Sequence, residues 1–437
     1  MAAPERGPEG KPGLWRRHRV ALGFLAPAAL LLAIWIVYPA ISTIYRSFFD
    51  RTGSEFVGID NYEEIVTTDL LLTAIKNNAL WLAVVPALVT AIGLIFGVLI
   101  EKIRWSVAFR TAVFMPMAIS LFAAGVIWRV MDQRDPEIGA LNASLAAVVD
   151  AVDPPGAFSD AAGSTERLEG TPKEGLRLNE PLEAGDVARL GLTAIPPEDV
   201  PEDAAQARAP PPASGGIAGV VWVDFLPGGG KPDVVEKGEQ GLPGVSVELR
   251  DANGDSVGTV ETEADGSFVF EDVGSGEHSV AIAPETFEEP FSGVEWLGPG
   301  LITPAVMIAY IWVWAGFAMV VIGAGLAALP RDVLEAARTD GATETQIFRR
   351  VTVPLLRPVL IVVFVTMLIN VLKVFDIVLS VAPASSQDDA NVIALAMWRT
   401  AFGGVNDFGL GSAIAVLLFL LVIPLLAFNL RNFRREA

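Results

Sequence analysis

The sequence predicts an all-α polytopic membrane protein of six spans, with a small β-sandwich inserted on its outer side. Three observations predict it. Six apolar stretches are each long enough to cross a bilayer, Lys and Arg gather in alternate connections, and the acidic surplus falls in one long loop. The chain has 437 residues, 52% of them hydrophobic, yet its formal charge is −20. Apolar content and charge that are both extreme imply two environments along one chain.

The stretches are residues 20–44, 79–100, 111–130, 301–329, 355–381 and 410–430. A bilayer core takes about 20 apolar residues as helix. The first stretch is longer than the apolar part of a signal peptide. It runs into Tyr38-Pro39 without a small-residue cleavage site, so it is expected to be retained. Basic residues set the orientation. Arg6, Lys11, Arg16, Arg17 and Arg19 precede the first span, and Lys102, Arg104 and Arg110 separate the second from the third. Arg331, Arg338, Arg349, Arg350 and Arg357 follow the fourth, and Arg431, Arg434 and Arg435 end the chain. With six spans all four clusters share one side, the cytoplasm, together with both termini. Residues 132–300 then lie outside.

This outer loop holds about 33 acidic and nine basic side chains, so the remaining chain is slightly positive. Such acidity keeps an exposed domain soluble. Residues 146–214 are rich in Pro, Ala, Glu and Gly, with Pro154-Pro155, Pro196-Pro197 and Pro210-Pro211-Pro212. Few aromatic residues are there to build a core, and the stretch reads as a largely extended linker. From 215 to 284 the pattern turns to period two. Ile217, Val220 and Trp222 start the series, followed by Val245, Val247 and Leu249, residues 257–260, Phe268 and Phe270, and His278, Val280 and Ile282. Turn signals at Asp251-Ala252-Asn253-Gly254 and Asp265-Gly266 divide them, as in a small antiparallel sandwich.

Several chemistries are excluded. The chain has no cysteine and two histidines, His18 and His278, so neither a thiolate site nor a histidine metal cluster is expected. No Gly-rich phosphate loop ending in Gly-Lys-Ser/Thr occurs, so nucleotide chemistry belongs to a partner. The chain is expected to catalyse nothing and to bind no nucleic acid.

The connection at 331–358 carries a specific pattern. It reads Glu335-Ala336-Ala337-Arg338-Thr339-Asp340-Gly341 and, nine residues on, Val351-Thr352-Val353-Pro354. The two alanines give a smooth helical face, Gly341 permits a sharp turn, and Pro354 is expected to end the second helix before the next span. This resembles the coupling loop of permease subunits of ATP-binding-cassette importers, E-A-A, three residues, G, nine residues, I-x-L-P, with valines replacing Ile and Leu. The resemblance makes Glu335, Ala336, Ala337, Asp340, Gly341 and Pro354 the contact with a cytoplasmic ATPase.

The resemblance covers nearly all six spans and is nearest the maltose and α-glucoside branch of sugar permeases. It rests on Leu25-Ala26-Pro27 and Tyr38-Pro39, Phe56-Val57-Gly58-Ile59-Asp60-Asn61-Tyr62, Phe114-Met115-Pro116, Ile127-Trp128-Arg129 and Gly139-Ala140-Leu141-Asn142. It resumes near Trp296 and includes residues 372–378 and 407–413. It implies the fold of type I importer permeases. Residues 1–145 form an N-terminal half with spans one to three, and 285–437 a C-terminal half with spans four to six. It also implies the partners: a second related permease, two ATPase subunits carrying ATP and Mg, and an external sugar-binding protein at a bacterial or archaeal cell membrane. This chain itself is expected to hold no cofactor.

The stretch 215–284 resembles prealbumin-like repeat domains of bacterial surface proteins, on residues 219–224, 241–245 and 265–268. Some relatives bind calcium after the first strand, which would fall here on Asp224, Asp233 and Glu236, oxygen donors suited to a hard cation. Leu226 and Gly228-Gly229-Gly230 depart from that pattern, and the bland alternative is a solvated acidic loop.

Polar groups inside a span usually face a cavity or one another. Thr366, Asn370, Lys373 and Asp376 recur at three- and four-residue spacing, which puts them along one helical face. With Tyr310 they are candidates for the solute path, sugars needing hydrogen-bond partners beside aromatic faces. The alternatives are an ion pair of Lys373 with Asp376 and plain packing of the aromatics. The resulting reading is a permease subunit of an ATP-driven importer of α-glucosides or other di- or oligosaccharides. A permease for another solute such as glycerol-phosphate, and a membrane-anchored surface-interaction protein, are the alternatives.

Overall fold

The computed structural model describes residues 14–171 and 173–436. Arg6 and Lys11 of the N-terminal basic cluster lie outside them. The chain forms two compact units, residues 133–294 and the remainder.

The remainder is helical. Its first half holds α1 (Leu14–Leu32), a π-turn at Ala33–Val37, α2 (Tyr38–Arg46), α3 (Asp60–Thr67), α4 (Asp69–Lys102), α5 (Ser106–Phe114), a 3-10 turn at Met115–Ala118 and α6 (Leu121–Met131). Helix α7 (Ala140–Val152) belongs to the insert. The second half holds α8 (Ile302–Ala327), α9 (Arg331–Thr339), α10 (Glu344–Ile347), a π-turn at Phe348–Thr352, α11 (Val353–Leu372), α12 (Asp376–Val381), α13 (Ile393–Phe402) and α14 (Phe408–Glu436).

Among the described residues four continuous helices are long and apolar enough to cross a membrane: Gly23–Arg46, Asp69–Ile100, Ile302–Ala327 and Glu344–Leu372. Two expected spans are interrupted. The third breaks after Ala118, and α6 leaves the Ser106–Ala118 segment at 104°. Pro116, which cannot donate a backbone hydrogen bond, sits in the 3-10 turn, and Ser120 restarts the helix by accepting the Ala123 N–H at 3.1 Å. The fifth ends at Leu372, with α12 beginning anew at Asp376.

Small residues set the closest contacts. Gly93 and Gly97 stand one turn apart on α4. A Cβ at Gly93 would come within 2.4 Å of the Ala318 Cβ on α8, and one at Gly316 within 2.4 Å of the Val113 carbonyl oxygen. Lipid supplies no hydrophobic drive between helices, so close backbone approach has to supply the packing energy. Beside this seam Trp81 and Tyr310 are both 1% exposed and meet edge to face, 5.3 Å between ring centres.

The second unit contains α7 (Ala140–Val152) and nine strands, β1 (Ala162–Gly163), β2 (Leu168–Thr171), β3 (Gly175–Leu178), β4 (Val187–Thr193), β5 (Ile217–Val223), β6 (Ser246–Arg250), β7 (Ser256–Glu261), β8 (Ser267–Phe270) and β9 (Ser279–Ile282). They form two sheets, ordered β1-β4-β5-β8 and β2-β3-β9-β6-β7. All pairings are antiparallel except β4 with β5, which run parallel from Val187 opposite Ala218 to Leu192 opposite Val223. The stretch read as a linker, 146–214, therefore carries four strands. Its Phe158, Leu168, Leu176, Leu178, Leu190 and Leu192 share one core with Ile217, Val221, Leu242, Val247, Phe268, Phe270 and Ile282. The composition misled because leucines fill this half of the core while the proline clusters sit in the turns between strands.

Candidate coupling hairpin and solute path

Helix α9 starts after Pro330, which cannot donate and is tolerated at a helix start. It ends where the Asp340 N–H donates to the Ala336 carbonyl at 3.0 Å, the Gly341 N–H to Arg338 at 3.0 Å and the Ala342 N–H to Ala337 at 3.1 Å. Gly341 takes φ +81° with open space where a Cβ would sit. Backbone conformation, not crowding, requires glycine there. Thr343 then caps α10 reciprocally: its Oγ1 accepts the Gln346 N–H at 3.4 Å, and Gln346 Oε1 accepts the Thr343 N–H at 2.9 Å. The Arg338 Nε donates to Glu344 Oε1 at 2.9 Å and ties the two helices across the turn. Glu335, Ala336 and Asp340 are exposed and Ala337 is half-buried, while Ile347 is buried behind them. The hairpin thus presents a small, acid-flanked face on a stiff turn.

Pro354 does not end the second helix. It lies in the first turn of α11, and the helix runs without a break from Glu344 to Leu372. The widened π-turn at Phe348–Thr352 absorbs the ring and the missing N–H. Motion of the hairpin is therefore joined to the fifth span through continuous helix.

The expected path residues are divided by the break in that span. Thr366 and Asn370, one turn apart on α11, are half-buried. Lys373 caps the end of α11 and Asp376 opens α12, both exposed, and no ion pair joins them among the described residues. The single face inferred from spacing ends at Asn370, because residues 373–375 are not helical. Tyr310 is packed between Trp81 and Trp314, at 5.3 and 5.9 Å between ring centres.

A polar cluster escaped the sequence reading. Asn77 Nδ2 donates to the carbonyls of Asp389 at 2.7 Å and Asn391 at 2.8 Å, and Asn78 Oδ1 accepts the Ile393 N–H at 2.7 Å. Ser386, which is buried, donates to the Leu297 carbonyl at 2.6 Å. The Arg51 Nε reaches the Asn406 carbonyl at 3.4 Å. The available signal was the Asn77-Asn78 pair beside an otherwise apolar run.

In the insert, Asp233 pairs with Arg167, the Asp224 carboxylate accepts the Asp233 N–H at 2.7 Å, and Glu236 accepts the Lys231 N–H at 2.7 Å. These three do not converge as a ligand set. No group of three or more His, Asp or Glu side chains arranged to hold a metal occurs among the described residues. The carboxyl that stands out is Glu239, 2% exposed with Oε1 unpartnered. Burial, then the neighbouring charges of Asp224 and Glu236, push it above the ordinary carboxylate range, against the Glu236 N–H that it accepts.

Residues 268–433 match the family "binding-protein-dependent transport system inner membrane component", and residues 216–292 match the SdrD B-like domain. The chain is 29% identical over 418 residues to the alpha-glucoside transport system permease protein AglF of Rhizobium meliloti (strain 1021), covering 95% of this chain and 82% of that one. It is 27% identical over 418 residues to the osmoprotective compounds uptake permease protein GgtC of Synechocystis, covering 94% and 98%. A chain of a bacterial ABC transporter that imports the acidic polysaccharide alginate shares the fold at a TM-score of 0.57 and 15% identity, over 97% of this chain and 99% of that one. The protein is a multi-pass membrane permease, not an enzyme, and over residues 268–433 it is similar to the family of binding-protein-dependent transport system inner membrane components.

Proposed function

We propose that this chain is one of two permease subunits of an ATP-driven importer of α-glucosides or other di- or oligosaccharides. The observation that carries the coupling is the hairpin of α9 and α10, rigid at Gly341 and Thr343 and continuous with the fifth span. Glu335, Ala336, Ala337, Asp340 and Gly341 would sit in a groove of a cytoplasmic ATPase, with Pro354 at the root of the moving helix. ATP binding by two such subunits would drive alternating access through rigid-body motion. The relatives that transport alpha-glucosides and trehalose or maltose support the solute class.

The six-span reading has cytoplasmic termini and an extracytoplasmic insert, the compact unit of residues 133–294. Contacts within the helical unit support it: the segments around 51, 77, 297, 389 and 406, all assigned outside or to the outer end of a span, bond to one another. Thr366 and Asn370 are the path residues we favour. Lys373 and Asp376 stand beyond the helix end, where they would meet solute before it enters, and Tyr310 would act by fixing the α4–α8 seam. If calcium binds the insert, Asp233 must first leave Arg167, and Glu239 would join Asp224 and Glu236 as oxygen donors. A second reading, uptake of osmoprotective compounds, is favoured by the alignment with GgtC, which spans 98% of that protein. Uptake of labelled maltose, trehalose, glycerol-phosphate and an osmoprotectant, by cells with and without this subunit, tests the choice. Loss confined to the disaccharides supports the proposal, and unchanged disaccharide uptake contradicts it.

A further inference from the structure

Helix α7 is an apolar helix with no cover. Leu141, Leu145, Val148, Val149 and Val152 fall within about 100° of the helix circumference at 100° per residue. Leu145, Val148, Val149 and Val152 are exposed, Val148 by 64% and Val152 by 84%. The helix has 13 residues, too few to span a bilayer, and no charge before Asp150. In the β-sandwich of this acidic insert most large apolar side chains pack inward on a shared core, with Phe225, Val257 and Val269 exposed singly rather than as a stripe.

A buried side chain fixes where the helix starts. Asn142 is fully buried, and its Nδ2 donates to the carbonyls of Gln133 at 2.8 Å and Val294 at 2.9 Å, while its Oδ1 accepts the Val294 N–H at 2.9 Å. Gly293 permits this, since a Cβ there would come within 1.8 Å of the Arg134 carbonyl oxygen. Asn142 therefore staples together the two ends of the insert. Gln133 lies two residues beyond the end of α6, and Val294 eight residues before α8. The start of α7 is thus tied by short stretches of chain to the ends of both helices.

We infer that α7 is an interfacial helix, its Leu145/Val148/Val149/Val152 stripe seated in the headgroup–acyl boundary of the bilayer that the spans cross. Chain connectivity names the occupant, and the absence of charge along the stripe suits lipid. The inference rests on the membrane-spanning reading of α4, α6 and α8.

The test uses the full chain, which has no native cysteine, in lipid nanodiscs. Single cysteines carrying nitroxide labels replace Val148 and Val152 on the stripe and Ala143 and Ala147 on the opposite face. Leu88→Cys on α4 serves as the lipid reference and Ser256→Cys on β7 as the water reference. The expected result is an oxygen-to-nickel accessibility ratio at 148 and 152 roughly threefold or more above that at 143 and 147, approaching the Leu88 value. Ratios at 148 and 152 like that at Ser256 would overturn the inference. So would shielding from both reagents, which would mean that protein covers the stripe. A water-like ratio at Leu88 would instead overturn the membrane reading itself.

Discussion

The insert and the helical unit bury similar side chains for opposite reasons. In the insert, Trp222, Leu190, Ile217 and Ile282 are withdrawn from water and charge is left outside. In the helical unit Trp35, Leu88, Ile95 and Phe122 are left outside, and the contacts inside are made by Gly93, Gly316 and Ala318. The first arrangement is driven by water, the second by close approach and by satisfied polar groups such as Asn77. A substitution that is harmless in one unit should damage the other.

The largest effect is expected at the tight helix seam. Gly93→Leu would force α4 from α8, and we expect loss of the assembled permease on detergent gel filtration while the same change at exposed Gly274, where a Cβ meets open space, is tolerated. In the insert, Leu190→Ala should cost about 2–5 kcal/mol and open the sandwich to limited proteolysis, leaving the helical unit assembled. Excision of β1–β4 should have the same outcome, because β4 lies inside its sheet next to β5. Survival of an isolated 215–292 fragment as a folded domain would break this comparison.

Smaller effects sharpen it. Asn78→Leu leaves the Ile393 N–H without its acceptor, and a loss of about 1–3 kcal/mol is expected, read as a lower unfolding temperature of the purified subunit. Glu239→Gln acts on the insert in the other direction. The folded insert holds a proton on Glu239 more tightly than the unfolded chain does. Above the ordinary Glu range the native state therefore binds more protons, and stability falls as pH rises through the window up to the raised value. The variant should flatten that fall and stabilise the insert slightly at neutral pH, checked by thermal unfolding at pH 5 and pH 7.5.

Sidedness can be tested with the cysteine-free chain. Ser386, a natural choice by sequence, is buried, whereas Ser385 beside it is exposed. Cysteines at Ser256 and Ser385 should react with an impermeant thiol reagent from outside sealed cells, and one at Thr343 only after the membrane is opened.

Much of this was legible in the sequence. Apolar length and the placement of arginines outlined the spans, and the spacing from Glu335 to Pro354 marked the hairpin. Alternation at 217–222 and 245–249 marked β5 and β6. What escaped depended on partners distant in sequence. Strand β4 lacks β-branched alternation, and it becomes a strand by pairing with β5 some thirty residues on. The break at 119–120 leaves hydropathy nearly unchanged and that at 373–375 holds a single charged Lys373 among apolar residues, so an apolar count reads through both. Pro354 looked like a helix end because a π-turn that absorbs it has no signature in composition.

The most direct test of the central claim is ATP-dependent sugar uptake by the complete transporter with Glu335→Lys or Gly341→Pro. Lys reverses the charge offered to the ATPase, and Pro cannot adopt the φ of +81° that the turn requires. The account predicts that both variants reach the membrane and fold, while uptake falls at least about tenfold, equivalent to 1.4 kcal/mol of lost coupling. Normal uptake by both variants, in cells with no second system for the same sugar, would contradict it.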